Sequence, residues 1–147
     1  PVTPLCGCDV FVTDSAGTTL RNFTLGQTLY SYDAYGRSSN TDANGAPRLS
    51  TADADQDAQA TLQHVVMTFD PVNGRRIYVN GSDTGDSDPA AGGTLTDWDD
   101  TFALVLGNEA SNDRQWQGVI RLVAIHDRAL TPTQIQQNFD AGVGEKF

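Results

Sequence analysis

The oxygen-bearing side chains are the residues of this sequence best spaced to do chemistry. Asp53, Asp55 and Asp57 alternate through a polar stretch, and Asn108, Glu109, Asn112 and Asp113 crowd into residues 108–113. Calcium takes six to eight hard oxygens, and loops rich in Asp and Asn can provide them. An EF-type loop starting at Asp53 fails, because its sixth position is Ala58 rather than Gly and its twelfth is His64 rather than Glu. The expected metal ligands are therefore Asp53, Asp55 and Asp57 at one non-EF site, or Glu109 and Asp113 at another. A solvated turn accounts for either stretch equally well. Beside the second loop lie Arg114 and Trp116. An indole face can stack on a sugar ring while amides hydrogen-bond its hydroxyls. Asn108, Asn112, Arg114, Trp116 and Tyr35 are the candidate ligand-binding residues on this reading, with core or edge packing as the plain alternative for each.

Nucleophilic catalysis has less to work with. His64 and His126 are the two histidines, and neither accompanies a nucleophile-elbow sequence. His64 reads as a core or cleft residue. Cys6 and Cys8, one residue apart, are too close for an unstrained disulfide and too few for a closed zinc site; free thiols and bridges to other chains both stay open. Asn22-Phe23-Thr24 and Asn80-Gly81-Ser82 match glycosylation acceptors.

The charge balance narrows the partners. Nineteen acids, seventeen of them Asp, stand against nine bases, giving a net charge of −10. A field of that sign repels phosphate backbones and anionic lipid, so nucleic acid and membrane surfaces are not expected as partners. No apolar run reaches the roughly 18 residues of a membrane span, so direct membrane insertion is not expected either. The sequence starts at Pro1 without Met, as expected of a processed product, an excised fragment or an incompletely known sequence.

The elements that must position these residues are short strands. With 147 residues the chain suits one domain with a sizeable core. Strands are expected at 8–13, two or three within 19–36 with a break near Gly26-Gln27, then 61–69, 75–80, 101–107 and 118–127. The 61–69 strand is apolar on both sides, as a central strand covered on both faces should be. It forms a hairpin with 75–80 around Asp70-Pro71-Val72-Asn73-Gly74. Residues 50–60 and 81–100 read as polar loops. One helix is signalled: Thr131 as N-cap, Pro132 at its first position, Gln134 completing a capping box, and Gly142 ending it.

Five phrases together resemble the laminin-G-like branch of the concanavalin A-like lectin and glucanase superfamily. They are RNFTLGQ (21–27), TLQHVVMTFD (61–70), NGRRIYVNG (73–81), LVLGNE (104–109) and WQGVIRLVAIHDRALTPTQIQQNFDAG (116–142). The resemblance implies an all-β, antiparallel jelly-roll β-sandwich with one short C-terminal helix, as a single domain over 1–147. Relatives carry further strands before the RNFTLGQ-like segment, so the N-terminal strands are expected to be missing or atypical before about residue 20. A sandwich short of strands exposes an edge that invites a partner chain.

The resemblance also implies function. Laminin-G-like domains often bind calcium at the sandwich rim through a pair of acids plus backbone carbonyls, so calcium is the one cofactor expected. Glucanase relatives use two carboxylates on alternate strand positions, about 5–5.5 Å apart in retaining enzymes. Here Glu109 and Glu145 lie thirty-six positions apart. The expectation is a non-catalytic extracytoplasmic module that binds a glycan or protein. A structural subunit, docked to a partner chain at its N-terminal sheet edge, is the alternative; a glycan-cleaving enzyme comes third.

Overall fold

A computed structural model describes residues 9–144. Cys6, Cys8, Glu145 and Lys146 lie outside the described residues. Eight strands fall into two antiparallel sheets. They are β1 (Asp9–Ser15), β2 (Arg21–Thr28), β3 (Ser31–Gly36), β4 (Leu49–Ser50), β5 (Val65–Asp70), β6 (Gly74–Val79), β7 (Ser82–Asp83) and β8 (Ala103–Leu106). One sheet has the order β4-β3-β2-β1-β8 and the other β5-β6-β7. A 3-10 turn occupies Asp53–Asp55, and the helix α1 spans Pro132–Ala141. The all-β sandwich with one C-terminal helix is thus present.

Alternation explains the core. Tyr32 and Ala34 on β3, Leu25 on β2, Leu49 on β4 and Ile77 on β6 are buried together with Ala58. Val65, Met67 and Val79 pack against them, as the expected inward face of the hairpin requires. Val65 pairs with Val79 and Met67 with Ile77 across β5 and β6. Each fully buried side chain of this size contributes about 1.5–3 kcal/mol. The break expected near Gly26-Gln27 falls instead at Leu29-Tyr30, where Leu29 adopts φ 54°. Gly26 and Gln27 stay in β2 because both pair with β3, at Asp33 and Tyr32.

Two expectations about strands need correction. Residues 118–127 form no strand among the described residues, and Val119, Leu122 and Ile125 are exposed. β5 is an edge strand of the three-stranded sheet rather than a central one, and every residue in it is half-buried. Both segments are apolar on two faces, so alternation alone made them read as covered; what covers a face is set by neighbouring chain, not by the strand's own composition.

The helix follows its signals closely. Thr131 Oγ1 accepts from Gln134 N–H at 3.3 Å, and Gln134 Oε1 accepts from Thr131 N–H at 3.0 Å. Ile135 is completely buried beneath it. Asn22 does not suit a glycan: it is 1 % exposed, its amide donates to Asp14 and Asp99, and its carbonyl oxygen accepts from Asp99 N–H.

Candidate functional site: an aromatic groove and an acidic rim

A groove of about 620 Å³ opens beside the N-terminal end of β1. The turn between β2 and β3 supplies Tyr30, more than half exposed, and the chain leading into β5 supplies Leu62. Trp116 and Val119 form the opposite wall. Gln27, Gln59 and Gln117 add amides, and Asp9 and Arg121 add charge. Trp116 is wedged in place: its ring meets Phe11 edge-on at 4.3 Å. A Cβ on Gly118 would fall 2.6 Å from the indole, so only glycine lets the ring lie there. The indole Nε1 is buried and has no hydrogen-bond partner among the described residues.

The expected ligand residues do not all reach this groove. Trp116 does. Asn108, Arg114 and Tyr35 belong to a separate ion-pair network centred on Glu109, which is 2 % exposed. Arg21 Nη2 approaches Glu109 Oε1 at 2.6 Å, and Arg114 Nε approaches Oε2 at 3.0 Å as an ion-pair contact. Tyr35 stacks under the Arg21 guanidinium, 4.5 Å from its centre. Asn108 Oδ1 accepts from the N–H groups of Glu109 and Arg114, and its amide donates to Asn112. These contacts fold the 108–114 loop onto itself. Glu109 already has two guanidinium counter-charges, which compete with any cation; Asp113 accepts from Ser111 in the same loop.

The other acidic stretch forms a rim with Asp86, a residue that sequence reasoning did not single out. Asp53 accepts from Ser31 Oγ, closing the 3-10 turn onto β3. Asp57 is half-buried, and burial pushes its carboxyl above the usual range, with the charges of Asp86 and Asp55 adding and a Thr51 hydrogen bond opposing. Asp57 Oδ2 and Asp86 Oδ2 are each buried without a hydrogen-bond partner among the described residues. Two orphaned carboxylate oxygens fit two positions of a calcium shell that draws its remaining oxygens from backbone and water. No group of three or more His, Cys, Asp or Glu suited to a metal exists among the described residues. Neighbouring Tyr32 donates to Gln63 Oε1 at 2.6 Å, and burial, then the Asp57 charge, pushes its phenol up to about 12.

Asp86 shares its loop with the buried pair Arg75–Asp88. Nη2 of Arg75 lies 2.6 Å from Asp88 Oδ1, and its remaining donors reach the carbonyls of Ala34, Gly45 and Pro47. One guanidinium therefore ties the 81–100 loop, β3 and the 37–48 loop to β6.

A laminin G family model, described as the concanavalin A-like lectin/glucanases superfamily, matches residues 9–136. The chain belongs to this family. Laminin-G-like domains are generally non-catalytic binding modules and typically extracellular, although the superfamily also includes glycosidases. No helix among the described residues is long and apolar enough to cross a membrane. No curated protein and no solved structure gives a significant match.

Proposed function

We propose that this laminin-G-like chain is a non-catalytic, extracytoplasmic recognition module that binds a neutral glycan in the Tyr30–Trp116 groove. The observation that carries the reading is the convergence of two aromatics with the amides of Gln27, Gln59 and Gln117. Sugar rings offer C–H faces to aromatic walls and hydroxyls to amides, the mixture of apolar lining and few polar groups typical of ligand sites. The net charge of −10 disfavours sulfated or uronate-rich chains, which leaves neutral glycans. Calcium at Asp57 and Asp86 would neutralise the rim and hold the 51–60 and 81–100 loops together. Catalysis finds little support, since both oxygens of Glu109 face guanidinium groups. The test is titration of neutral oligosaccharides, with and without calcium. Binding that survives in Tyr30→Ala would count against the groove.

One observation favours a second reading, that of a subunit docked to another chain. Residues 118–127 present the exposed side chains of Val119, Leu122 and Ile125, and β5 is a half-buried edge strand. The partner would therefore dock on the exposed apolar side chains of 118–127. Recovery of the chain only within a stable complex would support this reading over glycan binding.

A further inference from the structure

His64 is a half-buried titratable group that neither the groove nor the rim uses. It stands at the entrance to β5, where its N–H donates to Asn80 Oδ1 at 3.0 Å and its carbonyl accepts from Asn80 N–H at 2.8 Å. The imidazole stacks on Phe139 of α1, with ring centroids 6.1 Å apart and planes inclined by 24°. Its Nδ1 is buried and has no hydrogen-bond partner among the described residues.

Ile135 is the helix's buried residue. Gln136 sits against the β6–β7 turn, where a Cβ on Gly81 would fall 2.4 Å from its Oε1. Isolated helices shorter than about 12–15 residues are marginal in water, so α1, with ten residues, depends on this docking to exist. Loosening one of its two apolar anchors therefore unfolds the helix locally instead of merely tilting it.

We propose that His64 is a proton-operated latch for α1: an imidazolium at this position drives Phe139 off the ring and releases the helix. The protonated ring carries a second N–H donor into a pocket whose Nδ1 side has no acceptor, and it brings charge onto an apolar contact. The charged groups on the surrounding elements have partners of their own or lie exposed. Asp140 of α1 accepts from Gln136 Nε2 at 2.9 Å, and Asp83 of β7 pairs with Arg76 at 2.8 Å. Asp70, at the far end of β5, accepts from the turn N–H groups of Val72 and Asn73. His126 and Asp127, on the approach to α1, are exposed. Burial holds the His64 ring below its ordinary value of 6.5. The docked helix is therefore fully stabilised above pH about 6.5 and loses that stabilisation as pH falls toward the folded-state value.

Amide hydrogen exchange of residues 132–141, corrected for intrinsic rates, tests the latch at pH 7.5 and 5.0 in the wild type and in His64→Phe, which keeps the stack but cannot titrate. The opening of α1 should rise severalfold on acidification in the wild type. His64→Phe should stay flat, and His126→Gln should behave as wild type. NMR titration of the His64 Cε1 proton in the wild-type chain gives a second readout that does not depend on how any variant folds. Equal opening at both pH values would overturn the proposal. So would a His64 value at or above 6.5, the sign of an imidazolium welcomed by the Phe139 ring.

Discussion

Arg75 and Asp88 face each other with both side chains 1 % exposed, Nε donating to Oδ2 at 2.9 Å and Nη2 to Oδ1 at 2.6 Å. Asp88 also accepts from the N–H groups of Arg75 and Ala90. Burial opposes its ionisation, but the Arg75 side-chain and backbone bonds outweigh it and hold the carboxyl below its usual range. Removing one partner leaves the other charge buried, at a cost of about 3–5 kcal/mol. Asp88→Asn should therefore lower the urea midpoint sharply, while Arg75→Met with Asp88→Leu should recover much of the loss.

The same pair sets an acid limit. A carboxyl depressed by folding contributes stability that is present above its unfolded value of 3.8 and disappears as pH falls through the folded value. Wild-type stability should therefore drop below about pH 4, and denaturant titrations between pH 5 and 2 should show a smaller drop in Asp88→Asn, because Asp70 and Asp99 are also held low.

At the rim the sign reverses. Asp57 is raised by burial first and by Asp86 and Asp55 after it, so the cation-free fold gains stability as Asp57 takes up a proton. Asp57→Asn should raise the melting temperature of calcium-free protein; on the calcium reading proposed for the rim, added calcium should raise that of the wild type and not that of the variant. Chelator should reverse that rise in the wild type alone, as scanning calorimetry would show.

Tyr30 is 57 % exposed, and truncating it removes no core packing. Tyr30→Ala should leave the melting temperature within about 1 °C while weakening oligosaccharide binding about tenfold, or about 1.4 kcal/mol. Gly118→Ala attacks the Trp116 wall from beneath. Its Cβ would overlap the indole of Trp116, so the intrinsic fluorescence should shift and binding should fall together.

Much of the fold was legible because local signals and tertiary outcome agree. The capping box at Thr131 and Gln134 satisfies two backbone N–H groups whatever lies nearby, so four residues sufficed to place the helix start. The hairpin read correctly for a similar reason: Asp70 Oδ1 accepts from Val72 and Asn73, and Gly74 supplies φ 78°. The site was harder to see. Asn108, Glu109 and Arg114 looked available because they crowd together, yet Arg21 arrives from 88 residues upstream to neutralise the carboxylate. Asp86 was hidden for the converse reason, since its neighbour Asp57 comes from a loop far away in sequence and no spacing records it. Tyr30 carried no signal of its own in the sequence; its exposure follows from the left-handed turn at Leu29.

The uncovered apolar side chains have a consequence for the behaviour of the chain in solution. Val119, Leu122 and Ile125, with Leu104 and Leu106 on β8, are all more than half exposed. Contact between two such surfaces is attractive at short range, and what holds copies apart is the mutual repulsion of molecules that each carry −10. That barrier is a property of the solvent as much as of the protein, because the screening length shrinks from about 30 Å at 0.01 M salt to about 8 Å at 0.15 M. Ionic strength and acidity should thus govern whether this chain stays dispersed, with its surplus of aspartate acting as a colloidal stabiliser for apolar side chains that lie exposed among the described residues.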